Sequence, residues 1–328
     1  MIGLDYKISE LPVREKFAIT KASMERVLSA YTELKEVSGC TIISTCNRTE
    51  VYVSLESDCE LQIPEILCGA LGLDSEKYAR YFVKRNDAEA IRHLCKVSAG
   101  MDSQILGDDQ IITQVRESSE LSRELGSNDS YLETLFNLAI KSAKIIKTQI
   151  VLRDPSRSSA PYKAVEKIKS VHSLVDQNVV VIGNGQMGRL VSDILIAEGA
   201  NVTVTIREYK KGVIQVPKGA NTIKYTCRYE AIAKASIVVS ATTSPHHTLH
   251  YPELSQLDSV PKIIVDLAVP RDIDPDIQNI TDVTILTIDD LAEEETFVDE
   301  AKVAQAENII EEQIEKYYRW CGFKQKIL

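Results

Sequence analysis

Apolar positions recur along this chain in rhythms that change from one third to the next. Up to about Val83, short apolar runs alternate with helical stretches, and Thr41-Ile42-Ile43-Ser44-Thr45 and Glu50-Val51-Tyr52-Val53 have the β-branched and aromatic content of two strands flanking a polar turn. Cys46, Asn47 and Arg48 fall in that turn. Residues 87–98 and 110–125 read as helices, the second stopping at Gly126, which lacks the Cβ that penalises the left-handed residue closing a helix. A polar loop, residues 100–109, separates them. Leu132, Phe136, Ala139, Ala143, Ile146 and Ile150 then recur at steps of three and four, marking a long amphipathic helix that ends near Asp154-Pro155.

Pro155-Ser156-Arg157-Ser158-Ser159-Ala160-Pro161 reads as a linker or hinge, and beyond it the rhythm changes to short β-branched runs separated by helical segments. Strands are expected at 178–182, 202–206, 236–240, 262–267 and 284–288, an alternation that argues for a parallel, doubly wound sheet. From Leu291 onward a stripe of Val303, Ala306, Ile310, Ile314, Tyr317 and Cys321 lies on an otherwise Glu-rich helix. That stripe must pack on something, on this chain or on a second copy. The expected fold class is α/β: an N-terminal α+β domain over 1–154, a sheet domain over 155–290 and a C-terminal helical segment over 291–328.

The 328 residues, 44% hydrophobic and 26% charged, suffice for two separate cores. The amino terminus has no basic region leading into an apolar run, and nowhere do about 18 apolar residues follow one another. No membrane association is expected. The seven cysteines are scattered, odd in number and without a C-x-x-C pair, so neither a disulfide framework nor a metal site is suggested, and a reducing, cytoplasmic setting is expected. A net charge of -10 argues against holding nucleic acid by global electrostatics. Lys141, Lys144, Lys147, Arg153 and Arg157 are either a local basic surface or a solvated helix face.

Val179-Val180-Val181-Ile182-Gly183-Asn184-Gly185-Gln186-Met187-Gly188 is a buried-strand pattern running into G-x-G-x-x-G and then a helix, the context of a Rossmann-type dinucleotide site. The first glycine permits the tight turn, the second lets the backbone approach a pyrophosphate, and the third lets helix and strand pack closely. Where an acidic residue would take the ribose 2′-hydroxyl of NAD, Arg207 stands instead, with Lys210 and Lys211 close behind. A 2′-phosphate fits that arrangement, so the cofactor is expected to be NADPH.

A cysteine in a turn between strands is often a small buried hydrophobe. Cys46, however, neighbours Asn47 and the always-charged Arg48, which suit a polar substrate and a thiol of lowered pKa. A reactive thiolate with a nicotinamide cofactor suggests capture of an acyl group followed by hydride transfer. Ser44-Thr45-Cys46-Asn47-Arg48-Thr49-Glu50 resembles the nucleophile signature of glutamyl-tRNA reductases. Further segments match in the family's order: Gly3-Leu4-Asp5-Tyr6-Lys7, His93-Leu94-Cys95-Lys96-Val97-Ser98-Ala99-Gly100-Met101-Asp102-Ser103, Ser240-Ala241-Thr242-Thr243-Ser244-Pro245-His246 and Asp266-Leu267-Ala268-Val269-Pro270-Arg271-Asp272. The resemblance covers essentially residues 1–320.

It implies that Cys46 attacks the carbonyl esterifying glutamate to its tRNA, that NADPH reduces the resulting thioester, and that glutamate 1-semialdehyde, a tetrapyrrole precursor, is released. Arg48 would pair with the substrate's side-chain carboxylate, and Thr45, Ser103, Asp108 and Gln110 would line the same pocket. His93 would be either a proton donor near the reacting carbonyl or a residue that shapes the pocket. Gly183, Asn184, Gly185, Gln186, Met187, Gly188, Arg207 and Lys210 would hold the cofactor. The implied partners are glutamyl-tRNA(Glu), glutamate-1-semialdehyde aminomutase downstream and a second copy of the chain.

The match departs from the family at Tyr6, usually histidine, at Ile8, usually threonine, and at Asp108-Asp109, usually Glu-Pro. Family members also typically continue into a further helical dimerisation domain, of which only the first helix would remain here. Two other readings stay open on these grounds: a paralogue acting on a different acyl substrate or tetrapyrrole intermediate, and a non-enzymatic NADP-binding interaction subunit.

Overall fold

Four short strands, β1 (Ile2–Asp5), β2 (Val37–Ser44), β3 (Arg48–Leu55) and β4 (Val83–Lys84), pair antiparallel in the order β2-β3-β1-β4. They belong to a computed structural model that describes residues 1–56, 61–104, 110–150, 159–207, 215–291 and 300–324. The chain divides into two compact units, Met1–Ser158 with Glu293–Leu328, and Ser159–Ala292.

In the first unit the two expected strands around Cys46 are β2 and β3, closed by a Ser44–Thr49 pair and by the Thr45 N–H donating to the Arg48 carbonyl at 2.9 Å. Successive side chains of β3 face opposite sides of the sheet. Val51 enters one core with Leu4, Ile42 and residues of α1 (Leu11–Phe17), α2 (Lys21–Thr32), α3 (Ile63–Leu71) and α4 (Ser75–Tyr78). Tyr52 enters a second core built by α5 (Asp87–Ser98), α6 (Gln110–Glu124) and α7 (Ser130–Gln149). Arg48, Glu50 and Tyr52, two apart, therefore share the face that meets α5. Gly126 does close α6, at φ +68°.

α7 stops at Gln149, short of the expected Asp154, and residues 151–158 lie outside the described part. Pro161 does not sit in a linker. It occupies the first turn of α8 (Ala160–Val171), where its missing N–H costs nothing because that donor has no partner within a helix. The Ser159 side chain caps the helix by accepting from the Tyr162 N–H at 3.4 Å.

The second unit holds six parallel strands: β5 (Asn178–Ile182), β6 (Asn201–Ile206), β7 (Asn221–Lys224), β8 (Ile237–Ser240), β9 (Ile263–Asp266) and β10 (Thr284–Thr287), ordered β10-β9-β8-β5-β6-β7. Helices α9 (Gln186–Ala197), α10 (Arg228–Ile232) and α11 (Tyr251–Leu254) join them. The strand order reverses between β5 and β8, the place where such sheets bind ligands beyond their carboxyl ends. β7 is a strand that the sequence pattern does not announce.

The terminal helix α12 (Glu300–Lys324) packs on α5 and α7 of its own unit, burying Ala306, Ile310, Ile314 and Tyr317 in the second core. Arg92 donates to both carboxylate oxygens of Glu311 at 2.5 and 3.0 Å, and Lys96 pairs with Glu307 at 2.6 Å. The apolar stripe is thus covered within the chain. Among the described residues no helix is long and apolar enough to cross a membrane.

Candidate active site

The turn bearing Cys46 is pinned from three directions. Tyr6 donates its N–H to the Asn47 carbonyl at 2.9 Å, Arg14 donates Nε to the Cys46 carbonyl at 3.3 Å, and Asn47 donates its N–H to Thr45 Oγ1 at 3.2 Å. Cys46 and Thr45 are half-buried. Cys40, Cys68 and Cys95 are buried instead, and burial pushes each of those thiols up, Cys95 to about 12.

Beside the turn lies a buried ionic network that the sequence reading did not assemble. Glu50, 1% exposed, accepts from Arg48 Nη1 at 2.8 Å, from His93 Nε2 at 2.7 Å and from the Tyr52 hydroxyl at 2.7 Å. Arg48 Nη2 donates to the Asp102 carbonyl, and His93 Nδ1 faces Asp102 Oδ2 at 3.2 Å. Lys7, at the exposed end, pairs with Asp102 Oδ1. Burial would push the Glu50 carboxyl up, but the charges of Arg48 and His93 hold it down at about 2. Burial likewise works against a charged His93, and Glu50 and Asp102 outweigh it, so its pKa is raised. A neutral imidazole carries one N–H and can donate to only one of two carboxylates. With one facing each ring nitrogen, the two carboxylates favour the imidazolium form of His93.

This geometry bears on two of the expected roles. Arg48 is only 2% exposed and already engaged by Glu50 and Asp102, so it is fixed in place rather than open to solvent. His93 has both nitrogens committed to protein carboxylates, which favours the pocket-shaping reading over the proton donor. Ser103 follows Asp102 directly and is half-buried; Gln110 begins α6; Asp108 lies outside the described residues. Among the described residues, Asn47 Oδ1 and Gln104 Oε1 are buried acceptors without a partner. Glu50 was within reach of sequence reading, because a carboxylate two residues from Arg48 inside an apolar strand needs a buried partner.

In the second unit the glycine turn follows β5 directly. Gly183 has φ +106°, and a Cβ there would also lie 2.6 Å from the Ala241 carbonyl oxygen; at Gly188 it would lie 2.0 Å from the Gly183 oxygen. Gly185, at the N-cap of α9, has no atom within 4 Å of such a Cβ. Two glycines are thus required by the fold itself, while the third borders open space at a helix N-terminus, which fits the approach of a pyrophosphate. Among the described residues Asn184 Oδ1 is buried without a partner, Gln186 is exposed and Met187 half-buried. At the end of β6 the Thr205 hydroxyl accepts from the Gly183 N–H at 3.1 Å. Arg207 stacks on the Tyr225 ring at 4.5 Å, with Arg228 also over that ring, at 4.3 Å. Lys210 lies outside the described residues.

Residues 2–150 match the family described as glutamyl-tRNAGlu reductase, N-terminal domain, and residues 164–294 match shikimate / quinate 5-dehydrogenase. Together they define an oxidoreductase whose second unit is of a dehydrogenase type that implies a nicotinamide cofactor. A protein named glutamyl-tRNA reductase from Alkaliphilus oremlandii is 41% identical over 99% of this chain and 97% of its own length. Another of that name from Acetivibrio thermocellus is 40% identical over 100% of this chain and 98% of its own. The solved glutamyl-tRNA reductase of Methanopyrus kandleri is 28% identical, covering 98% of this chain and 79% of that one, with a TM-score of 0.49. The chain belongs to the glutamyl-tRNA reductase family. The Alkaliphilus and Acetivibrio relatives are spanned almost end to end.

Proposed function

We propose that this chain reduces glutamyl-tRNA(Glu) to glutamate 1-semialdehyde, the first step toward 5-aminolevulinate and tetrapyrroles, with Cys46 as nucleophile and NADPH as reductant. The observation that carries the reading is the pinned, half-buried Cys46 turn beside the Arg48–Glu50–His93–Asp102 network in a member of this family. The Cys46 thiolate attacks the ester carbonyl and the tRNA 3′-oxygen leaves with a proton, giving a thioester. NADPH, when bound, supplies a hydride to the thioester carbonyl carbon. The protonated thiohemiacetal then collapses to the aldehyde and returns the thiol.

Within this reading Arg48, held flat by Glu50 and Asp102, offers its remaining N–H groups to the substrate's side-chain carboxylate, and Lys7 adds an exposed cation at the mouth. Thr45, Ser103, Asp108 and Gln110 supply hydrogen bonds around it. Glu50 and His93 are positioning residues: they hold Arg48 rather than touch substrate. Gly183, Asn184, Gly185, Gln186, Met187 and Gly188 hold the pyrophosphate, and Arg207, oriented by its stack on Tyr225, takes the 2′-phosphate with Lys210. A reducing cytoplasm keeps the thiol available, and an aminomutase takes the reactive aldehyde onward. A homodimer would need a surface other than the stripe of α12 that the chain itself covers.

Purified protein with NADPH and glutamyl-tRNA is expected to give glutamate 1-semialdehyde, and Cys46→Ser to abolish it. No product under reducing, anaerobic conditions overturns the proposal; an acyl adduct trapped on Cys46 from another donor would point to the paralogue. Arg207→Ala should weaken NADPH more than NADH, and equal losses would count against the 2′-phosphate assignment.

A further inference from the structure

Outside the catalytic network, three ligand-type side chains converge at the carboxyl edge of the parallel sheet. His247 and His250 lie on the segment that follows β8, and Asp274 on the segment that follows β9. An imidazole nitrogen from each histidine and a carboxylate oxygen from Asp274 all lie within 4.8 Å of one another, and all three residues are half-buried. The cysteine pattern, which argues against a thiolate site, says nothing about such a set. We propose that His247, His250 and Asp274 bind one zinc-class divalent ion that clamps the β8 and β9 segments together.

Three further features favour a built site over a chance meeting of polar side chains. First, the two segments are already joined by backbone: Leu249 bridges Ile273, Thr248 and Leu249 donate to the Asp272 carbonyl at 2.6 and 3.1 Å, and Asp274 donates back to the Leu249 carbonyl at 3.0 Å. The ligands are therefore carried on a frame fixed before any ion arrives, which reduces the ordering cost of binding. Second, the Asp274 carboxylate is oriented by the N–H groups of Tyr251, at 3.2 Å, and Asp276, at 3.1 Å, each taking one oxygen and leaving each a lone pair. Outer hydrogen bonds of this kind are what tune ligating carboxylates. Third, the His250 N–H donates to the Tyr229 hydroxyl at 2.9 Å, tying the second histidine to α10.

Two imidazoles and one carboxylate suit zinc and its neighbours in the first transition row, whereas calcium and magnesium ask for oxygen alone. Metal–ligand bonds of about 2.0–2.2 Å place the ligand atoms of one ion well within 4.8 Å of one another, the bound that these three atoms meet. Three protein ligands leave a fourth position for water. The bland alternative, two histidine rings meeting edge to face at 6.2 Å with no ion, predicts no metal response at all.

Chelator-treated full-length protein titrated with Co2+ discriminates between these. We expect one equivalent bound, visible d–d absorption without the near-ultraviolet charge-transfer bands of a thiolate ligand, and unchanged spectra in Cys46→Ser. His247→Ala and His250→Ala should each weaken binding about tenfold or more. Zinc should raise the melting temperature of the wild type by mass action but not that of His250→Ala. Circular dichroism of the metal-free variants checks that they fold. Thiolate bands, no visible absorption with excess Co2+, or affinity indifferent to both histidine substitutions would each overturn the proposal.

Discussion

Replacing Glu50 by Gln keeps the shape of the side chain and removes its charge, which deprives buried Arg48 of its paired carboxylate and leaves His93 with Asp102 alone. Breaking such a pair from one side costs about 3–5 kcal/mol, so Glu50→Gln should lower the urea midpoint markedly with its slope unchanged. The pH dependence has a definite sign. With its carboxyl held at about 2 against an ordinary 4.5, Glu50 contributes stability that is complete above 4.5 and lost as pH falls toward 2. Acid unfolding curves of wild type should therefore be steeper in that window than those of Glu50→Gln. His93 has the opposite sign, because its raised pKa makes a contribution complete below about 6.5 that fades as pH rises through the folded value. If His93 positions Arg48 and donates no proton, His93→Asn should raise KM more than it lowers kcat, without removing a limb of the pH–rate profile. The thiols offer a separate test: brief alkylation should label Cys46 well before Cys40, Cys68 or Cys95, as read by peptide mass spectrometry.

At the scale of elements, the glycine turn gives a matched pair of variants. Gly188→Ala places a methyl 2.0 Å from the Gly183 oxygen and should unfold or distort the turn, whereas Gly185→Ala meets no protein atom within 4 Å. The second variant should melt like wild type while dinucleotide affinity falls about tenfold or more, since only a bound pyrophosphate would meet the added methyl. β5 and its glycines were legible because an unbroken apolar run into a G-x-G-x-x-G turn has few other uses. β7 was not, since Asn221-Thr222-Ile223-Lys224 at the sheet edge is largely exposed and its partner on one side is solvent. Pro161 looked like a linker residue because proline at a helix's first turn and proline in a loop read alike until the cap is seen. The stripe on α12 announced that it was covered, but not by what, because an apolar face reads the same against its own chain or another. Glu50 was visible as a strand residue only; that it meets His93 depends on a pairing 43 positions away.

For the whole molecule, two units with separate cores need not melt as one. NADPH should raise the transition of the second unit, and Ile310→Ala, which opens a cavity against α5 and α7, should destabilise the first by about 2–5 kcal/mol and lower its transition. Calorimetry in which NADPH shifted the first unit as strongly as the second would contradict this assignment. The first unit also has a history written into its connectivity. Its last helix is encoded after the entire second unit. A ribosome adding some 5–20 residues each second therefore leaves the apolar backs of α5 and α7 bare for on the order of ten seconds or more, until α12 emerges. The nascent chain has a nearly finished dehydrogenase-type fold before it has a sealed thiol-bearing one, and a holdase or a protease would find its target in that interval.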